Sequence, residues 1–116
     1  MPKTKIKVTI KNEEENKKTI LPAIIQDEIL KYTEEDNTIV KYHYRKNILT
    51  RENQELEMKY RFDPNNKTMG EIHIKELGQS VKIEIKTKKL KRKENNIEVI
   101  FIVEGKEFLY RIEEIK

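Results

Sequence analysis

Cysteine is absent from the sequence, so neither a disulfide nor a thiolate metal site is open to it, and no oxidising compartment is required. A reducing cytoplasm fits best. Tryptophan is absent too; serine occurs once, as Ser80, and histidine twice, as His43 and His73. These shortages remove most catalytic constellations. Ser80 follows Gly78-Gln79 without the glycine-flanked elbow of a hydrolase. The two histidines have no recognised ligand spacing, and no motif selects partners for them among the 21 acidic residues. Gly70, Gly78 and Gly105 are isolated, as turn or bulge glycines are, and form no phosphate-binding loop. Adjacent carboxylates such as Glu34-Glu35 and Glu113-Glu114 would point to opposite faces of a strand and could not share a substrate; their simplest role is solubility. The sequence thus assigns no catalytic residue, no metal and no cofactor, and argues against an enzyme.

Long apolar runs are missing as well. Nothing approaches a membrane span, and Met1-Pro2-Lys3-Thr4-Lys5-Ile6 is not followed by an apolar stretch of signal-peptide length. The expected location is cytoplasmic, with no membrane partner. Only 35% of the residues are hydrophobic against 40% charged, a thin core under a charged surface. Such a chain does best in a fold that buries one face of each element, which favours antiparallel sheet. Its 116 residues are taken as one domain, 1–116. The 25 basic and 21 acidic residues interleave, and their excess of +4 is too small and too mixed to announce a nucleic-acid partner.

What is present is a period of two. Val81, Ile83 and Ile85 alternate with Lys82, Glu84 and Lys86, giving a strand with one dry and one wet face. The same rhythm runs through Ile6, Val8, Ile10, through Leu56, Met58, Tyr60, Phe62, and through Phe108, Tyr110, Ile112. Thr38 to Arg45 and Ile97 to Val103 carry apolar or aromatic residues on both faces and read as the best-covered strands. Turn signals separate these segments at Asn12 to Asn16, Glu35-Asp36-Asn37, Asp63-Pro64-Asn65-Asn66, Asn95-Asn96 and Glu104-Gly105. The series predicts an all-β antiparallel meander. Residues 19–32 are ambiguous, since Leu21, Ile25, Ile29 and Tyr32 also fit helical spacing with Pro22 in a first turn. The reading preferred is two strands about a turn at Gln26-Asp27, with Pro22 marking an edge or bulge.

Two clusters stand as candidate sites. Tyr42, Tyr44, Tyr60, Phe62, Phe101, Phe108 and Tyr110 fall on faces that a barrel would turn inward, where tyrosine hydroxyls need partners. Arg51, beside Thr50 at a strand end, could reach such hydroxyls or the anionic head of a ligand. Tyr42, Tyr44, Arg51 and Tyr60 are accordingly the candidate ligand-binding residues, against the plainer reading that they are core. The second cluster is the basic run of Lys86, Lys88, Lys89, Lys91, Arg92 and Lys93, either a phosphate-binding patch or the solvated end of a strand.

Tyr32-Thr33-Glu34-Glu35, Thr38-Ile39-Val40-Lys41-Tyr42 and Leu49-Thr50-Arg51 resemble the strand series of the YwiB-like bacterial proteins, a family of unknown function with a calycin-like β-barrel. Met58 to Phe62, Gly78 and Val81-Lys82-Ile83-Glu84-Ile85-Lys86-Thr87 resemble its later strands, so the likeness covers residues 28–114. The chain departs from the family where Glu52-Asn53 follow Arg51 in place of a nearby glycine, and in its N-terminal strands. The resemblance implies a calycin- or lipocalin-like meander barrel of about eight or more strands, and no reaction. Three functional readings stay open: a barrel that binds a small ligand, a polyanion or RNA binder using its basic surface, and a protein-interaction module, a homodimer included, that offers a strand edge or apolar patch.

Overall fold

Ten strands carry the alternation: β1 (Lys3–Lys11), β2 (Asn16–Gln26), β3 (Ile29–Thr33), β4 (Ile39–His43), β5 (Ile48–Glu52), β6 (Leu56–Arg61), β7 (Thr68–Ile74), β8 (Gln79–Lys93), β9 (Asn96–Val103) and β10 (Lys106–Ile115). The computed structural model describes residues 3–115, and readings that touch Met1, Pro2 and Lys116 lie outside the described residues. Every strand is antiparallel to the next in the chain, and β1 pairs with β10, so the meander closes into a barrel. Among the described residues there is no helix, and so none long and apolar enough to cross a membrane. Residues 19–32 form β2, a turn and β3, which settles their ambiguity in favour of strands.

One row of each strand faces the interior. Ile6 and Val8, Leu30 and Tyr32, Val40 and Tyr42, Ile83 and Ile85, Ile97, Val99 and Phe101, and Tyr110 and Ile112 are all buried in one cluster. Each such side chain contributes on the order of 1.5–3 kcal/mol by leaving water. The segments 38–45 and 97–103 do supply buried rows, but their second faces are less covered than expected, and Ile39 is 39% exposed. Charged neighbours look outward, where Glu98 accepts from Arg111 Nε at 2.8 Å and meets Lys89 Nζ at 3.0 Å.

Tight turns join the strands at both ends. The β2–β3 turn has Asp27 at φ 55° and Glu28 at φ 62°, the two positive values of a hairpin that normally takes Asn-Gly. At the β8–β9 pairing a register shift between Thr87 and Lys89 marks a bulge, and buried Thr87 there accepts a hydrogen bond from the Asp63 backbone N–H at 3.1 Å.

The wall is not uniform. β2 pairs with β3 only through Ile24, Ile25 and Gln26, so residues 16–23 of β2 have β1 alone as a partner. Pro22, which has no N–H to donate, lies within that one-sided stretch. β6 and β7 likewise pair only as far as Lys59 with Glu71, beyond which Gly70 turns its missing side chain inward.

Two substitutions test this geometry. A Cβ at Gly70 would stand 2.7 Å from the Lys59 carbonyl oxygen and 2.9 Å from Ile85 Cδ1, closer than real contacts allow. Gly70→Ala should therefore lower unfolding stability by about 1–3 kcal/mol in urea titration, and an unchanged midpoint would contradict the close approach. Glu28→Gly should act oppositely. It removes left-handed strain and loses only the exposed Arg45 pair at 2.9 Å, for a net gain of roughly 0.5–1 kcal/mol.

Candidate functional site

The two ends of the barrel differ. At one end, which also holds the start of β1 and the finish of β10, the interior is filled. Tyr42 and Tyr44 pack edge to face with centroids 5.5 Å apart, and Tyr42 stacks on Tyr110 at 6.4 Å. The Tyr44 hydroxyl donates to the Asn95 carbonyl at 2.7 Å, and the Arg92 guanidinium lies 4.8 Å above the Tyr44 ring. At the other end, below the β1–β2, β3–β4 and β9–β10 turns, the interior is a half-open cavity of about 530 Å³.

Its floor is aromatic and its wall polar. Tyr60, Phe101 and Phe108 form a chain of rings, with Tyr60 to Phe101 at 6.1 Å and Phe101 to Phe108 at 5.5 Å. Tyr32 and Tyr110 share a hydrogen bond of 2.6 Å between their hydroxyls. One hydroxyl hydrogen serves that bond and the other is left to point elsewhere. Arg51 donates to Glu34 Oε1 from Nε at 3.1 Å and from Nη2 at 2.6 Å. The Tyr60 hydroxyl donates to the Met58 sulfur at 3.3 Å, a weak acceptor that leaves the phenolic oxygen itself free to accept.

The period of two explains why a charged pair lies here. Arg51 is two residues from Leu49 and Glu34 two from Tyr32, so both share inward rows with buried residues. Burial works against the Arg51 charge, but the hydrogen bonds and charge of Glu34 outweigh it and hold the guanidinium above its ordinary value. The rim adds Glu15, Asp36 and Glu104 as carboxylates and Lys17 as a cation. A hydrogen bond from Thr38 holds the Asp36 carboxyl below its usual value, so this charge persists at neutral pH.

The four candidate ligand residues are divided by this geometry. Arg51 and Tyr60 line the cavity, whereas Tyr42 and Tyr44 fill the closed end. Tyr42 and Tyr44 do face inward as expected, but their hydroxyls are directed at Asn47 Oδ1 and the Asn95 carbonyl, away from the cavity. Glu34, taken as a solubility residue, is instead the partner of Arg51. Tyr32, Tyr110, Phe101 and Phe108 line it too, with aliphatic residues such as Leu49, Ile72 and Ile83. The inward parity of Phe101, Phe108 and Tyr110 was legible; that of Tyr32, in the ambiguous stretch 19–32, was not, nor were the contacts among the four.

The basic run is partly neutralised. Lys88 pairs with Glu107 at 2.7 Å, Lys89 with Glu98 at 3.0 Å, and Arg92 lies over Tyr44, while Lys86, Lys91 and Lys93 stay exposed. His73 Nδ1 and Ser80 Oγ are 2.9 Å apart on the exposed face, and among the described residues no carboxylate comes within ion-pair distance of His73 to complete a triad. No group of three or more potential metal ligands is assembled among the described residues.

Together these features define a class: a ten-stranded antiparallel meander barrel, sealed at one end by aromatics and hollow at the other. The crystal structure of the YwiB protein from Bacillus subtilis is similar to it, with a TM-score of 0.57 over 98% of this chain and 91% of that chain, at 13% sequence identity. At that identity the likeness establishes a shared fold, and the resemblance drawn from the strand series is met in three dimensions. No family model matches the chain. No curated protein matches it either.

The tyrosines supply a test of the interior. All five are held above the ordinary phenol value of 10.0, each chiefly by burial. A folded-state value above the unfolded one means stability that is intact below pH 10.0 and lost as pH rises past it. Phenolate absorbance, unobscured by tryptophan, should stay flat through pH 10.0 and then rise in one step with unfolding. Gradual ionisation of several tyrosines in the folded protein would contradict the packing.

Proposed function

We propose that this barrel binds one small amphipathic molecule in its open end, apolar body inward and polar head at Arg51. The observation that carries this reading is the cavity itself, whose volume of about 530 Å³ falls within the range of about 300–1,000 Å³ usual for small-molecule sites. Its composition supports the same conclusion, with an apolar and aromatic interior and a few converging polar groups. Lipocalin-like carriage of a ligand in the cytoplasm belongs to this proposal and rests on the cavity, since a barrel fold alone implies no function.

The polar groups narrow the head. Arg51 has five N–H donors and gives two to Glu34, and one hydroxyl hydrogen of the Tyr32–Tyr110 pair is unused, so the site offers donors to an acceptor. The lining nevertheless carries Glu15, Glu34, Asp36 and Glu104 against Lys17 and Arg51, a balance that repels free anions. The best-suited head is uncharged and rich in acceptors, such as a carbonyl, amide or polyol, and no covalent chemistry is implied.

Titration with a neutral polarity-sensitive dye should show saturable binding of one molecule per chain. Ile72 lines the cavity, and Ile72→Trp should fill it, abolishing the dye signal while the melting transition is retained. Native mass spectrometry of gently purified protein should show the same one-to-one stoichiometry. Signal that never saturates, or that is equal in the variant, would overturn the reading.

A further inference from the structure

Folding undoes the interleaving of charge. On the outer wall, across the β4–β5 turn and strands β6 to β8, Arg45, Lys46, Lys59, Arg61 and Lys82 line a depression of about 660 Å³ with Glu71 as its only carboxylate. Five cations against one carboxylate is an excess equal to the net +4 of the whole chain, so the remainder is on balance neutral. The dent lies where pairing between β6 and β7 stops, and the Gly70 backbone is part of its lining. Arg45 is engaged by Glu28, while the other four cations make no ion pair within 4.0 Å among the described residues. Glu71 is nevertheless directly across from both Lys59 and Lys82, and Arg61, after the Asn65 backbone N–H, helps hold the Asp63 carboxyl below its usual value. The neighbouring His43 registers the field: burial first, then Lys46, Lys41 and Lys59, hold its imidazole below the ordinary value.

We infer that this groove is a docking surface for single-stranded RNA, held by its phosphates and read without regard to sequence. From β5 to β8 the groove spans three strand spacings, roughly 14 Å, which is room for several phosphates. A flexible strand can descend into a dent on a convex wall, whereas a rigid duplex would bridge its rim. No aromatic ring lines the groove, so base stacking contributes nothing and charge supplies the affinity. The surface is separate from the interior cavity: no residue lines both.

Fluorescence anisotropy with a short labelled single-stranded RNA of mixed sequence, over a range of salt, tests the inference. Four free cations predict a slope of log K against log salt of about −3. Neutralising two in K59Q/R61Q should weaken binding and reduce the slope by about 1.4, while K91Q/K93Q on the basic run of β8 should leave it unchanged. If K59Q/R61Q melts early, K46Q/K82Q serves in its place. Absence of binding at low salt, equal losses in the groove and β8 variants, or tighter binding of the matching duplex or of tripolyphosphate would each overturn the inference.

Discussion

A closed ring of ten strands is wider than one of eight, and eight is already about the number whose interior side chains can just fill. This constraint governs the rest of the molecule. The chain is only 35% hydrophobic, so its large side chains cannot close both ends. Tyr42, Tyr44, Ile97 and Ile112 are concentrated in one half, Phe62 packs against Phe101 at 4.8 Å and Tyr60 at 6.5 Å beneath the cavity, and the other half stays hollow behind Tyr60, Phe101 and Phe108.

The polar groups that reach into the hollow half are paired with one another. Arg51 and Glu34 do this by two hydrogen bonds, and Tyr32 and Tyr110 by their shared one. An ion pair of this kind is poor evidence for stability, because desolvation offsets much of the attraction. Apolar residues at positions 34 and 51 would pack the same rows without that penalty. On the proposed reading, a guanidinium with spare donors at the mouth of an aromatic cavity serves recognition.

Parity is the feature that sequence displays plainly, and it accounts for how far the reading of this chain went. The alternation of Val81 to Lys86, of Leu56 to Phe62 and of Phe108 to Ile112 identified strands and their inner faces, and the turn at Asp27 resolved once β2 and β3 were seen to pair. Depth within the barrel depends on register between strands far apart in sequence, and no local pattern records it. Hence Tyr42 and Tyr60, both inward by parity and both across from Leu49, were grouped together although only Tyr60 lines the cavity while the Tyr42 hydroxyl is directed at Asn47. Glu34 was hidden for a related reason, since a carboxylate next to another carboxylate looks solvated until its row is traced back through Tyr32 to Leu30.

Charge shows the same limit on the outer wall. Along β8 the lysines are consecutive and conspicuous, yet their cross-strand neighbours include Glu98 and Glu107, which neutralise part of the run. Lys59, Arg61 and Lys82 are dispersed in sequence among acidic residues, but a meander sets residues of successive hairpins side by side, and Glu71 is the one carboxylate that lines the groove with them. Electrostatic surface is therefore a property of register rather than of composition. A chain whose overall excess is slight can still gather five cations around one carboxylate in a dent of the wall, and this one does so where the ladder between β6 and β7 stops.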